Sequence, residues 1–212
     1  MKNCIFLLIV VLLVALPYSA PADTAKEIMQ NVKKKYDSIE DADLKFVQKT
    51  TFGLSKIEQR TTGTLVFKKG NKYRVVTENQ TIVTDGETVW SYSAANNQVL
   101  IDNFKMDENA FSPERILSGA PGDFGAVLLG EDRVGKTETV VVKLTPGDGH
   151  STIKAMKLWV DNSTWLIRKA EISDVNGKDT EYTVTDIKIN SGIEDSEFTY
   201  QVPGGAEVVD LR

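Results

Sequence analysis

The chain has 212 residues, of which 41% are hydrophobic and 26% are charged, the ordinary balance of a globular protein. Its 25 basic and 30 acidic side chains give a formal net charge of −5 at pH 7. That charge argues against nucleic acid as the main partner, because no basic excess is present to neutralise phosphates.

The single cysteine, Cys4, excludes internal disulfides, and the single histidine, His150, leaves little room for a histidine metal site or a Ser-His-Asp triad. We therefore predict no catalytic site, no metal and no cofactor.

Residues 1–22 have the pattern of a secretory signal peptide. Lys2 supplies a positive charge, residues 4–16 form an unbroken apolar run, and Ala20-Pro21-Ala22 is a small-x-small cleavage site. A membrane anchor is the alternative, but a bilayer core needs about 20 apolar residues and this run is shorter. We predict cleavage after Ala22 and export to a bacterial periplasm, where a mature chain without cysteine needs no disulfides.

The mature part begins with a predicted helix over residues 24–37. Ala25, Ile28, Val32 and Tyr36 recur there at helical spacing, while lysines occupy the other face. The pattern indicates an amphipathic helix that packs its apolar side on the rest of the protein.

From residue 43 onward, apolar and polar residues alternate with a period of two, which predicts strands. In the first half, separate strands are predicted from about residue 43, at 65–67, at 73–77, ending near Thr84, at 88–92 and from Gln98 onward. In the second half they are predicted at 138–145, 152–160, 164–174 and 180–189. About ten short strands at even spacing favour an antiparallel barrel or a strongly curved sheet. No internal repeat or Pro/Ser linker divides the chain, so we predict that residues 23–212 form a single domain.

Two short helices are predicted in the middle of these strands. Ser112 as N-cap and Pro113 at the first helical position start one that ends near Leu117. Asp123 caps the other, over residues 124–129, and glycines surround both. Apolar helical turns on glycine joints are typical of a lid over a binding site, and equally of a plug that closes the end of a barrel.

Residues 130–137 match the phosphate-binding pattern G-x-x-x-x-G-K-[ST]. That motif functions between a strand and a helix whose N-terminus faces the phosphates, whereas a strand is predicted from residue 138 here. Glu131 and Asp132 would also repel a phosphate. We therefore interpret the match as a glycine-containing loop before a strand.

Several segments, taken in order, are similar to those of one protein family. They are Phe46-Val47-Gln48-Lys49, the glycine-led run 63–74, the Asp-Gly turn and Trp-x-Tyr strand at 85–92, Ser112–Leu117, Leu158-Trp159-Val160-Asp161, Asn190, Phe198 and Pro203. By their order and spacing, residues 24–209 resemble the periplasmic outer-membrane lipoprotein carriers, the LolA family.

The resemblance implies a mainly β fold: an unclosed antiparallel β-barrel of about eleven strands, covered by an N-terminal helix and short lid helices. It implies a periplasmic chaperone, not an enzyme, that binds the acyl chains of lipoproteins in an apolar cavity. The expected partners are an inner-membrane lipoprotein-releasing transporter and an outer-membrane lipoprotein receptor, or the outer membrane itself, and we expect a monomer. The alternative is a related periplasmic lipid-binding or envelope-stress-sensing protein on the same fold.

The resemblance also suggests which side chains meet the acyl chain. The candidates are Phe46, Phe67, Trp90 and Tyr92 on strands, and Ile116, Leu117, Phe124, Leu128 and Leu129 in the lid helices. Core packing is the alternative for each, because alternation shows that a face is apolar and not that it is empty. In the family an arginine latches the closed lid. Lys69 stands at the matching position and is expected to be a weaker latch, since an ammonium lacks the planar donor fork of a guanidinium.

Overall fold

The computed structural model describes residues 21–53, 55–105, 124–147 and 151–212. Helix α1, Pro21–Asp37, opens the described chain. It confirms the predicted N-terminal helix, with an earlier start at Pro21. The predicted signal peptide up to residue 20 and the predicted lid helix at 112–117 lie outside the described residues.

Twelve strands and one 3-10 helix follow α1 in the described chain. They are β1 Asp41–Phe52, β2 Ile57–Lys68, β3 Lys72–Thr77, β4 Gln80–Asp85, β5 Thr88–Ser93, β6 Gln98–Asn103, β7 Phe124–Val134, β8 Thr137–Pro146, β9 Ile153–Asp161, β10 Ile167–Asp174, β11 Lys178–Ile189, the 3-10 helix Asp195–Phe198, and β12 Glu207–Asp210.

All of these strands belong to one unclosed sheet in the order β12-β6-β5-β4-β3-β2-β1-β11-β10-β9-β8-β7. Neighbouring strands are antiparallel except β12 and β6, which run parallel. The mainly β, unclosed antiparallel architecture is thus confirmed. The strand number is twelve and not about eleven. Two strands are absent from our sequence prediction. One is β7, whose first part we predicted to be a helix, and the other is β12, which is short and largely exposed, so no buried alternation marks it.

The middle of the sheet is the pairing of β1 with β11. On one side of it β2 to β6 follow one another in chain order, and on the other side β10 to β7 do so in reverse. The Thr185 hydroxyl donates to the carbonyl oxygen of Lys45 at 3.2 Å, although the two residues are 140 positions apart. Two runs of locally connected strands are therefore joined by one long-range pairing.

Helix α1 packs on one side of the sheet, which we call the helix face. Its buried residues Ala25, Ile28, Val32 and Tyr36 share an apolar cluster with buried residues of β8, β9 and β10. Burying a large apolar side chain contributes about 1.5–3 kcal/mol. The Tyr36 hydroxyl also accepts the N–H of Ile167 at 3.0 Å, and burial raises the pKa of Tyr36 to about 12.

Residues 190–206, which we call the C-terminal strap, lie against the other side of the sheet, the outer face. Arg74 of β3 donates to the carbonyl oxygens of Glu197 and Thr199 at 2.7 and 2.8 Å. Between them, the side chain of Phe198 is buried, with 1% of its surface exposed. The strap then leads into β12 at the edge of the sheet.

The strap begins at a buried carboxylate. Asp41, the first residue of β1, is 4% exposed and accepts the N–H groups of Ser191, Gly192 and Ile193 at 2.7, 3.1 and 3.3 Å. Burial alone would raise the pKa of Asp41. The hydrogen bonds from these N–H groups and from the Ser191 hydroxyl outweigh it, so the pKa lies below its ordinary value.

Residues 124–129 are not a lid helix, so that prediction is wrong. They form the first part of β7, which pairs with β8 from Phe124 opposite Pro146 to Val134 opposite Thr137. A short apolar run fits a helix or a strand equally well, and here the pairing with β8 decides. Exposure alternates residue by residue along this part of β7, as a strand requires.

We predict that Asp41→Asn lowers the free energy of unfolding at neutral pH by about 2–4 kcal/mol, because one amide oxygen replaces a carboxylate that binds three N–H groups. The folded pKa of Asp41 is depressed. Its contribution is therefore present above the unfolded pKa, near 3.9, and is lost as the pH falls through the folded pKa.

Urea melts between about pH 5 and pH 2 measure this effect, and the gap between wild type and variant should shrink as the pH falls. Asp43→Asn, on the same strand but without a contact to the strap, is the control and should change stability by no more than about 0.5 kcal/mol at neutral pH. If the difference in unfolding free energy between wild type and Asp41→Asn does not depend on pH, the stabilisation does not come from the ionised carboxylate of Asp41.

Candidate functional site

The register of the strands decides which side chains share a face. Leu44 of β1 lies opposite Leu65 of β2, Leu65 opposite Val75 of β3, and Val75 opposite Ile82 of β4. Leu44 also lies opposite Ile187 of β11, which packs against the cluster under α1. Since directly paired residues point to the same side of a sheet, this whole row lies on the helix face.

An apolar strip runs along the helix face of β1, β2 and β3. It consists of Leu44, Phe46, Leu65, Phe67, Tyr73 and Val75. The ring of Phe46 lies 6.0 Å from the ring of Tyr182 on β11, and Phe67 packs against both this strip and the cluster under α1. The two phenylalanines predicted for the acyl site, Phe46 and Phe67, are thus brought together on one apolar surface.

Beyond the apolar strip, the helix face continues across β4, β5 and β6. Ile82 and Val89 are half-buried there, and Leu100 is 37% exposed. Under α1 the corresponding side chains of β8 and β9 are almost fully buried. The helix face therefore has a closed apolar half at β8 to β10. Its other half, at β3 to β6, mixes apolar side chains with Ser91 and Asp102 and is less buried except at Thr84, which is 0% exposed.

Trp90 and Tyr92 lie on the outer face, so the structure does not bring them together with Phe67. Trp90 is opposite Val83, and Val83 is opposite Arg74, whose guanidinium holds the C-terminal strap. The Trp-x-Tyr pattern correctly predicts a strand. It shows that the two rings share a face, but the face itself depends on how β5 is registered against its neighbours.

The remaining acyl-site candidates are spread over other places. Phe124 and Leu128 of β7 pack against the cluster under α1, away from the apolar strip. Leu129 lies at a register shift in β7 and is 51% exposed. Ile116 and Leu117 lie outside the described residues, so their role stays a prediction.

Lys69, the predicted latch, contacts the junction between α1 and β1 in the described part of the chain. Its ammonium lies 2.6 Å from a carboxylate oxygen of Glu40, an exposed pair of the kind that contributes about 0–1 kcal/mol. The neighbouring Lys68 and Lys72 instead bind Asp195 of the C-terminal strap at 2.6 and 2.7 Å. These two lysines lower the pKa of Asp195 to about 2. The basic turn thus fixes the strap.

Sequence reasoning missed the residues that attach the strap. Asp41 and Arg74 bind its backbone, and the amide oxygen of Asn190 accepts the N–H of Glu40 at 2.8 Å. In the sequence, Asn190 and Phe198 stood out only because they occur in the same order as in the family. That order does not show which residues they contact.

Other chemistry is not supported by the geometry. Residues 130–137 are the end of β7, a turn in which Gly135 has φ +61°, and the start of β8. A strand and not a helix thus follows the phosphate-loop match, as predicted. His150 lies outside the described residues. Within the four described ranges, no group of three or more His, Cys, Asp or Glu side chains could hold a metal ion. Nor does any helix in those ranges have the length and apolar character to cross a membrane.

Comparison with known sequences points to carrier proteins. A family model described as outer membrane lipoprotein carrier protein LolA matches residues 37–201. An outer-membrane lipoprotein carrier protein of Chromohalobacter salexigens is 25% identical over 199 residues, which cover 92% of this chain and 91% of the relative. One from Halorhodospira halophila is 23% identical over 216 residues, which cover 99% of this chain and 96% of the relative.

Comparison with solved structures supports the fold alone. An uncharacterized conserved protein from Thermus thermophilus superposes with a TM-score of 0.59 at 16% identity, covering 88% of this chain and 99% of that chain. MucB superposes with a TM-score of 0.51 at 18% identity, covering 88% of this chain and 66% of that chain.

Gly63 gives a test of how the apolar strip is packed. A Cβ at this position would lie 2.5 Å from Cζ of Phe46 and 2.9 Å from the carbonyl oxygen of Val76. We predict that Gly63→Ala lowers the free energy of unfolding by about 1–3 kcal/mol, because the Phe46 ring must move. In a Phe46→Leu background the same change should cost less, and urea melts of the double-mutant cycle measure the difference. An equal cost in both backgrounds would disprove this packing.

Proposed function

The chain belongs to the LolA family of outer-membrane lipoprotein carrier proteins, and we propose that its helix face binds the acyl chains of lipoproteins in transit between two membranes. Carriers of this family are periplasmic and are not enzymes. The proposal for this chain is thus a chaperone that receives a lipoprotein at the inner membrane and delivers it to the outer membrane.

One observation carries the proposal for the site. Leu44, Leu65, Val75 and Ile82 of β1 to β4 lie in register on the helix face, and the row continues through Ser91 of β5 to Leu100 of β6. In contrast, α1 shares its cluster with β8 to β10, and the 3-10 helix contacts β3 and β4. Phe46 and Phe67 stand at the border between the two halves. This arrangement supports a ligand surface on β2 to β6, beside the part of the helix face that α1 occupies.

The dimensions of this surface suit an acyl chain. Neighbouring strands lie about 4.8 Å apart, so β1 to β6 span roughly 24 Å. The chains of one membrane leaflet extend over about half of the 30 Å hydrocarbon core, which is shorter. Each methylene removed from water contributes about 0.8 kcal/mol, so an apolar surface of this length is sufficient to hold one chain.

The expected partners follow from the proposed route. They are lipoproteins as cargo, an inner-membrane lipoprotein-releasing transporter as donor, and an outer-membrane receptor or the outer membrane itself as acceptor. Release at the acceptor must occur without a nucleotide, because the one nucleotide-motif match in the sequence is the β7–β8 hairpin. A half-buried surface meets this need better than a sealed cavity, since the ligand can leave without unfolding the sheet.

Two adjacent valines of β3 provide a matched test of the face. Val75 is opposite Leu65 on the helix face, and Val76 is opposite Thr64, so its side chain points to the outer face. Both are half-buried. We predict that Val75→Gln weakens binding of a fluorescent fatty-acyl probe several-fold, because it places an amide in the apolar strip. Val76→Gln should leave the probe affinity within about twofold.

A probe titration of both variants, with circular dichroism to verify folding, measures this difference. Equal losses in two folded variants would eliminate the helix face as the acyl site. Probe binding without delivery of a lipoprotein to outer-membrane vesicles would favour the alternative of a related lipid-binding protein on the same fold.

Export is a separate prediction. The apolar run at 4–16 and the Ala20-Pro21-Ala22 site lead us to expect a mature N-terminus at Asp23 in the soluble periplasmic fraction. N-terminal sequencing of that fraction checks it. Recovery of the intact Met1 terminus in the membrane fraction would show that the segment is an anchor.

A further inference from the structure

Three large apolar side chains are exposed at one end of the sheet. Phe52 and Ile57 lie opposite each other at the end of the β1–β2 hairpin and are 42% and 63% exposed. Val175, in the turn between β10 and β11, is 61% exposed. The two hairpins touch, because a Cβ at Gly53 would lie 3.5 Å from the carbonyl oxygen of Asn176. We call Phe52, Ile57 and Val175 the hairpin tip.

A cleft of about 620 Å³ adjoins the hairpin tip. Four lysines line it, and we call it the lysine cleft: Lys56, Lys143, Lys154 and Lys157. Two small side chains, Ala155 and Ser173, also line it and lie opposite each other on β9 and β10. Because the same cleft is lined by Gly53 and Gly177 of the two hairpins, the cleft and the hairpin tip form one continuous surface.

The lysine cleft carries an excess of one positive charge, because four lysines and three carboxylates, those of Glu171, Asp174 and Asp179, line it. Lys143 of β8 lies directly opposite Lys157 of β9, and like charges in this position destabilise a sheet. Lys157 is neutralised by Glu171 at 2.7 Å. Among the described residues, Lys56, Lys143 and Lys154 have no carboxylate within ion-pair distance.

The other carboxylates of the cleft already have hydrogen-bond donors. Asp174 accepts the N–H groups of Asn176 and Lys178 at 2.8 and 2.9 Å, and Asp179 accepts the hydroxyl of Ser173. Within the described part of the chain, a protein of net charge −5 thus keeps three ammonium groups beside an exposed apolar tip without a carboxylate at ion-pair distance. Such a combination lowers the stability of the isolated chain and becomes favourable when an anionic, partly apolar surface covers it.

We propose that the hairpin tip and the lysine cleft together dock the protein on an anionic phospholipid membrane. The apolar side chains enter the interface, and the unpaired lysines bind lipid phosphates. A membrane fits this surface better than a protein partner, because lysine is depleted from protein–protein interfaces whereas lysine clusters are attracted to anionic lipids. The inference rests on the proposed function only in that a carrier of lipoproteins must meet a membrane.

The test uses protein isolated from the periplasm and vesicles of phosphatidylcholine with or without phosphatidylglycerol. We expect the wild type to sediment with the phosphatidylglycerol vesicles, and high salt to release it. Lys143→Gln and Lys154→Gln should each weaken this association by about fivefold. Val175→Ser should weaken it several-fold.

The controls carry the same chemical changes at distant positions. Lys136→Gln removes an exposed lysine at the opposite end of β8, and Val208→Ser removes a valine that is 48% exposed at the β12 edge. Neither should alter vesicle binding. Urea melts of all the variants establish that they remain folded, and Val175→Ser and Val208→Ser are both surface changes, so neither should unfold the chain.

Equal binding to vesicles with and without phosphatidylglycerol would overturn the proposal, as would losses in the controls equal to those in the cleft variants. The acyl-probe titration separates this outcome from a failure of the proposed function. Loss of vesicle binding with intact probe binding in the cleft variants supports a docking surface that is distinct from the acyl site. A wild type that binds the probe and ignores anionic vesicles contradicts the docking surface and leaves the carrier function standing.

Discussion

A sheet with apolar side chains on both faces must cover both faces, and this requirement organises the protein. Helix α1 covers β8 to β10 on the helix face, and the C-terminal strap with Phe198 covers β3 and β4 on the outer face. The outer face of β9 to β11 needs less cover, because it carries charged pairs such as Lys157–Glu171 and Lys169–Glu181. Beside the region that α1 covers, the apolar residues on the helix face of β3 to β6 are only partly buried, and the proposed ligand surface lies there: Val75, Ile82, Val89 and Leu100.

The two coverings are held by different forces. Helix α1 is held by the burial of apolar side chains. The strap buries one ring, that of Phe198, and is otherwise held by polar contacts: its N–H groups donate to Asp41, Arg74 donates to its carbonyl oxygens, and Asp195 forms ion pairs. Strand β3 takes part in both faces, because Arg74 binds the strap on one side while Val75 belongs to the apolar strip on the other. The strap is therefore the more sensitive of the two to acid and to salt.

The sequence patterns predicted which segments are helices, strands or turns better than they predicted on which face of the sheet a side chain lies. The spacing of Ala25, Ile28 and Val32 correctly predicted the helix. Asp85-Gly86 and Asn176-Gly177 correctly predicted turns. Helical spacing and turn dipeptides are both local signals, so they do not depend on distant parts of the chain. The face of Trp90 depends on register through several turns, and the state of residues 124–129 depends on a partner strand, so neither is a local property. For the candidate site, the structure brings Phe46 and Phe67 onto one apolar surface, and their contact with an acyl chain stays a prediction. The contacts of Asp41 and Arg74 with the strap join distant segments that no sequence pattern connects.

The long-range pairing of β1 with β11 also constrains how the chain reaches its folded state. The strands β1 to β6, and likewise β7 to β11, can pair with their sequence neighbours, but the second edge of β1 pairs only with β11, about 140 residues away. Closing so long a loop is slow, because its entropy must be lost before the contacts form. A chain that emerges N-terminus first therefore cannot complete the sheet, or assemble the border between the cluster under α1 and the apolar strip, until β11 has emerged. The late arrival of one strand keeps the polypeptide incompletely folded during synthesis, and the proposed ligand surface forms only when nearly the whole sequence is present.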